Sequence, residues 1–64
     1  DYVKAAACFS QAAKRNNDVA KYNLGVLYYR GLGVASDTQK GLNLIRVAAE
    51  KGVRKAQEFL ASLA

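Results

Sequence analysis

The chain has 64 residues, with ten Lys and Arg against five Asp and Glu, a net charge of +5, one cysteine and no histidine, proline, methionine or tryptophan. A single cysteine excludes an internal disulfide, and the lack of any second ligand of that type excludes zinc sites built from paired Cys and His. No apolar run approaches the roughly 18 residues of a membrane span, and a chain this short buries only about 60% of the surface that its unfolded form exposes.

The first segment, residues 2–15, places Ala5, Ala6, Cys8, Phe9, Ala12 and Ala13 on one arc at about 100° per residue, the pattern of a helix with one apolar face. Lys4, Ser10 and Gln11 interrupt its apolar residues, so it is not a signal peptide. With no initiating methionine, the chain reads as part of a longer one. Asp1 at the start and Lys14 and Arg15 at the end sit where the helix dipole favours their charges. Cys8, with no histidine to activate it, is expected to act as a small core hydrophobe.

Residues 18–30 differ, because they carry two apolar stripes. One is Ala20, Leu24, Leu27 and Tyr28; the other is Val19, Tyr22, Val26 and Tyr29, with Asn23 and Arg30 between them. Such a helix has neighbours on both sides, and Gly25 at its edge allows another backbone to come close. The following Gly31-Leu32-Gly33 is a turn: Gly31 suits a left-handed helix end and Gly33 a chain reversal, with Val34 tucked under the pair. A dinucleotide-binding loop would need a preceding strand and a third glycine, and neither is present.

Ser36 or Asp37 then caps a third helix over residues 38–51, with Gln39 able to complete a box from Ser36. Gly41, Leu42, Leu44, Ile45, Ala48 and Ala49 form its apolar arc. Arg46 and Glu50 form an i,i+4 pair on the other side. The last helix, residues 53–63, keeps one stripe in Ala56, Leu60 and Leu63. It turns Lys55, Glu58 and Ser62 toward solvent, with Phe59 the exception.

Sliding the chain against itself by 36 residues reveals a repeat, with seven of 28 overlapping positions identical. Asp1 falls on Asp37, Lys4 on Lys40, Ala12-Ala13 on Ala48-Ala49, Ala20 on Ala56, Leu24 on Leu60 and Leu27 on Leu63. Asn16 falls on Gly52, and these are the two residue types best suited to a left-handed helix end.

Ala20, Leu24-Gly25, Tyr28, Gly31, Gly33-Val34, Asp37, Lys40, Ala48-Ala49, Gly52 and Ala56 also fit the pattern A-x3-LG-x2-Y-x2-G-x-GV-x2-D-x2-K-A followed by AA-x2-G-x3-A. In this the chain resembles the Sel1-like repeats, relatives of the tetratricopeptide repeats. The resemblance implies an all-α fold, a right-handed superhelical solenoid of antiparallel helix pairs. Residues 1–17 would be the second helix of one repeat, 18–52 a complete repeat and 53–64 the first helix of the next. Gly41 departs from the family's alanine at a cost of about 1 kcal/mol in a helix interior, Leu44-Ile45 replace an aromatic pair, and Ala61 and Ala64 replace a glycine and a tyrosine. The single Cys8 does not fit the disulfide-clipped secreted branch of the family.

The resemblance implies a scaffold or adaptor for a protein or peptide partner, without catalysis and without a cofactor. Candidate contacts are the inner-helix residues that point away from their own pair: Tyr22, Asn23, Val26, Tyr29 and Arg30, then Lys55, Glu58 and Phe59. Tyr and Arg are residue types that interfaces favour. The same tyrosines and valine would equally serve packing against the inner helix of an adjacent repeat. Single-stranded RNA is the second reading, motivated by the basic excess; the few exposed aromatics and the scattered Lys and Arg weigh against it. Five scattered carboxylates and one thiol give no acid–base pair at useful spacing. Because arrays generally need three or more repeats, the isolated chain is expected to be marginal, or to associate through the faces that its first and last helices expose.

Overall fold

The computed structural model describes residues 1–63 as four helices: α1 (Tyr2–Lys14), α2 (Asp18–Arg30), α3 (Thr38–Glu50) and α4 (Arg54–Leu63). The described residues contain no strand, and each helix packs on the next in the chain, as the all-α reading requires. Ala64, the position where a family tyrosine is replaced, lies outside the described residues.

The starts of α1, α2 and α3 are each held by a capping side chain. The Asp1 carboxylate accepts from the Val3 and Lys4 N–H groups at 2.9 and 3.4 Å, the Asn17 amide oxygen from Ala20 N–H at 3.0 Å, and the Asp37 carboxylate from Lys40 N–H at 3.0 Å. Each satisfies an N–H that has no partner within its own helix. Of the two candidate caps for α3 it is thus Asp37 that serves. Ser36 packs instead against Gly31, where an added Cβ would come within 2.9 Å of the serine Cβ.

Helix ends explain both glycines and alanine doublets. At the end of α1, Asn17 N–H donates to Ala12 carbonyl at 3.1 Å and Asn16 N–H to Ala13 carbonyl at 3.0 Å, with Asn16 at φ 64°. At the end of α3 the same two bonds run from Val53 to Ala48 and from Gly52 to Ala49, each 3.0 Å, with Gly52 at φ 95°. This is the Schellman arrangement. It uses Arg15 and Lys51 as terminal caps and Val53 as part of the turn, which is why the helices stop or start one residue inside the ranges expected from sequence.

Two apolar clusters share α2 between them. Ala6, Leu24 and Leu27 form the first, with Phe9, Ala13, Tyr28, Leu32, Val34 and Leu44 against it. Ile45, Ala48 and Ala56 form the second, all with no exposed surface, under Tyr22, Val26, Ala49, Val53, Phe59 and Leu60. Leu24, Leu27 and Tyr28 of one stripe and Tyr22 and Val26 of the other therefore each meet a neighbour, while Val19, expected on the second stripe, is exposed. Val34 does tuck back onto the first cluster.

The approach of α2 to α3 overturns the reading of Gly41 as a simple cost. A Cβ on Gly25 would lie 2.7 Å from the Gly41 carbonyl oxygen, and one on Gly41 would lie 2.5 Å from the Gly25 carbonyl oxygen and 2.7 Å from Tyr29 N. Both glycines are buried, and the helices cross where neither has a side chain. Gly33, at φ 72°, has a similar role in the loop: a side chain there would run into the backbone at Tyr2, so the turn between α2 and α3 closes onto the start of α1.

Two further expectations are corrected. Arg46 and Glu50 do not form an ion pair: among the described residues the salt bridge is Lys21 to Asp18, 3.6 Å. Exposed pairs on a helix contribute so little that two long side chains gain nothing decisive by ordering. Cys8 is exposed and not a core hydrophobe.

Candidate functional surfaces

The inner-helix residues singled out from sequence divide into an aromatic cluster and a charged rim. Tyr22 and Tyr29, one helical repeat of seven apart on α2, both turn ring edges to Phe59 of α4, with centroid separations of 6.4 and 5.3 Å and interplanar angles of 75° and 89°. Edge-to-face pairs of this kind add attraction beyond the area they bury. Val26 completes the α2 side of the cluster. All four residues are half-buried, so they pack on one another and keep part of their surface exposed. Arg30, Lys55 and Glu58 are exposed.

Asn23 is separated from that cluster. It lies in a groove of about 310 Å³ between α1 and α2, whose walls are Cys8, Phe9 and Ala12 on one side and Val19, Ala20 and Asn23 on the other, with the capping Asn17 at the end. Sequence reasoning missed the α1 wall. Its signal was the 36-residue period, which sets Phe9 and Ala12 on the fully buried Ile45 and Ala48 and so marks them as surface made to be covered.

One motif residue gains a specific partner. The Lys40 ammonium sits 4.6 Å from the centre of the Tyr28 ring, a cation–π contact that ties the start of α3 to the end of α2. The Asp37 N–H also donates to the Tyr28 carbonyl at 2.9 Å. The tyrosine, aspartate and lysine of the repeat pattern thus form one joint.

Among the described residues no group of three or more His, Cys, Asp or Glu is placed to hold a metal ion, and no helix is long and apolar enough to cross a membrane.

A fold of stacked helices whose Asp caps and left-handed turns after the alanine doublets recur at a fixed period defines a helical repeat protein. The family model described as Sel1 repeat matches residues 1–17 and 18–53, and the chain belongs to that family. Sel1 repeats are generally protein–protein interaction modules, a non-catalytic scaffold type. No solved structure matches the chain.

Proposed function

We propose that this chain is an adaptor segment that binds a peptide or protein partner on the face formed jointly by α2 and α4. The observation that carries this reading is the half-buried cluster of Tyr22, Tyr29 and Phe59, which spans two inner helices and keeps aromatic surface available beside the exposed charges of Arg30, Lys55 and Glu58. Rigid aromatic side chains already held by packing lose little freedom when a partner covers them, and interfaces draw most of their energy from such residues and from arginine. Val26 completes the contact set on the α2 side, whereas Asn23 lies in the separate groove between α1 and α2 and drops out of it.

The test is a peptide-array screen with the 64-residue chain, followed by titration of each captured peptide against Arg30→Glu, Lys55→Glu and Tyr29→Phe variants. The charge reversals lie on exposed positions and leave the fold intact, as circular dichroism would verify. About tenfold weaker binding by either reversal is expected. Unchanged affinity in all three variants would remove this face from the account.

A further inference from the structure

The cations that lie scattered along the sequence are gathered by the fold at one end of the molecule. Gly41, at the start of α3, lies against Tyr29 at the end of α2, while the cluster of Ile45, Ala48 and Ala56 takes Tyr22 from the start of α2, so these helices run antiparallel. The start of α1 meets the loop after α2 at Gly33, and α4 lies beside α2, its Phe59 shared by Tyr22 and Tyr29. The α1–α2 turn (residues 15–17) and the α3–α4 turn (51–53) therefore lie at one end, and the loop 31–37 at the other.

At the turn end, Asp18 and Lys21 neutralise each other in an ion pair of 3.6 Å. What remains there is Lys14, Arg15, Lys51, Arg54 and Lys55, all exposed, against Glu50, so four of the five net charges sit at this end. The opposite end sets Lys4, Arg30 and Lys40 against Asp1 and Asp37. The helix dipole accounts for Lys14, Arg15 and Lys51, which stand at helix C-termini where positive charge is favoured. Arg54 and Lys55 occupy the first turn of α4, where it is disfavoured. The 36-residue period sharpens the contrast: Arg54 stands where the preceding unit has Asp18, and Gln57 where it has Lys21. The ion pair of the α1–α2 turn is thus not repeated, and a cation replaces its carboxylate. A local choice that works against its own helix is expected where a site is served.

This end is the edge of the stack. Repeats stack side by side, so a neighbouring repeat covers helix faces and leaves the turns open. The side chains present select among polyanions. Among the described residues no exposed aromatic ring lies here, since Tyr22 and Phe59 are half-buried against each other and Tyr2 is at the opposite end. The bases of a single strand would have no platform on which to stack. Lys55 stands one helical turn from Phe59 on the rim of the α2–α4 face, so a polypeptide lying on that face continues onto the basic end. A bilayer laid across the end would not reach along the face.

We infer that this end docks an acidic segment of a protein partner, with several Asp or Glu residues within reach of both turns. Long cationic side chains from two turns form a diffuse positive surface that attracts successive carboxylates and speeds encounter. The inference rests on the interaction-module reading, and its test leaves the aromatic cluster untouched, so the two can fail separately.

The probe is fluorescein-labelled octaglutamate with an amidated C-terminus, titrated into the 64-residue chain and followed by anisotropy. Saturable binding is expected at about 50 mM salt, weakened about tenfold at about 300 mM as the charges are screened. Lys14→Glu combined with Arg54→Asp gives each turn the residue that its counterpart carries, and should weaken binding at least about tenfold with helicity retained. Lys4→Glu combined with Thr38→Glu and Gln39→Glu changes the net charge equally at the opposite end, and should weaken it less than about threefold. Equal losses in the two variants, no saturable binding, or binding indifferent to salt would each overturn the inference. Tighter binding of an oligouridylate of equal charge, or of phosphatidylcholine vesicles with about 30% phosphatidylserine, would overturn it too, giving the end to nucleic acid or to a lipid surface. Octaglutamate bound through this end, with every array peptide indifferent to Arg30→Glu and Tyr29→Phe, would sustain the inference and sink the α2–α4 face. Array peptides lost with Arg30→Glu, with no octaglutamate bound, would do the reverse.

Discussion

The two helix hairpins of this chain, α1–α2 and α3–α4, share a backbone plan and differ in what lies across them. Each has an Asp cap, an alanine doublet that supplies the last carbonyls, and a left-handed residue that turns the chain. Across the second lies α2, and Ile45 there is fully enclosed; across the first lies nothing described, and its counterpart Phe9 is half-buried. Burial in a stacked array is thus a property of the neighbour as much as of the residue. Here α2 is both the ridge for the second groove and a wall of the first.

The largest effect should come from breaking the filled groove. Ile45→Ala removes a fully buried side chain and should cost about 4 kcal/mol, enough to unfold a chain of this size in a thermal or urea melt. Phe9→Ala, at the counterpart position, should cost about 1–2 kcal/mol because its ring is only half-buried. An equal loss at the two positions would mean that the first groove is covered in solution, and a melting midpoint that rises with protein concentration would identify a second copy as the cover.

The glycine crossing gives a test of sign. By helix propensity alone, Gly41→Ala should stabilise α3 by about 1 kcal/mol. Because the new Cβ would meet the Gly25 carbonyl and the Tyr29 N–H, both backbone groups that cannot rotate away, the net outcome should be a loss of about 2 kcal/mol. A gain in the melting midpoint would show that the helices separate without difficulty and that the close crossing contributes little.

Exchanging the residues that distinguish the two groove floors should give a smaller, unequal pair of effects. Phe59→Asn removes the ring that both tyrosines face and should cost about 2 kcal/mol. Asn23→Phe puts a ring where no ridge meets it, and its effect on the melt should stay within about 0.5 kcal/mol. Equal and opposite effects would place an occupant in the first groove.

These contrasts also mark what could be read from the residues alone. The helix count, the doubly apolar α2, the Asp caps and the left-handed Asn16 all follow from local chemistry and periodicity, which act within a few residues along the chain. Gly41 and Cys8 were misread for one physical reason. Whether a glycine is a weakness or a crossing point, and whether a cysteine is covered, depends on how closely a second helix approaches, and a single helical wheel holds no such distance. The Tyr22–Phe59–Tyr29 cluster was half legible. Its members could be named on their helices, whereas the joining of α2 to α4 through one shared ring needs the angle at which those helices cross.

The smallest predicted effect sharpens the comparison most, because it concerns the feature in which the hairpins are nearest to identical. Asn16 and Gly52 both hold positive φ and both donate to the doublet alanine three residues back. A left-handed backbone costs an L-residue about 1–2 kcal/mol, less for asparagine and nothing for glycine. A glycine in the unfolded chain gives back part of that difference through its greater freedom. Asn16→Gly should therefore stabilise the chain by about 0.5 kcal/mol. Gly52→Asn should destabilise it by a similar amount, since a Cβ at Gly52 meets no atom within 4 Å and only the backbone preference is at stake. If the two turns are one physical device used twice, the double exchange leaves the urea midpoint where it began. A residual difference would instead assign the Asn16 side chain a contact of its own at the end of α1, beside the groove that α1 and α2 leave open.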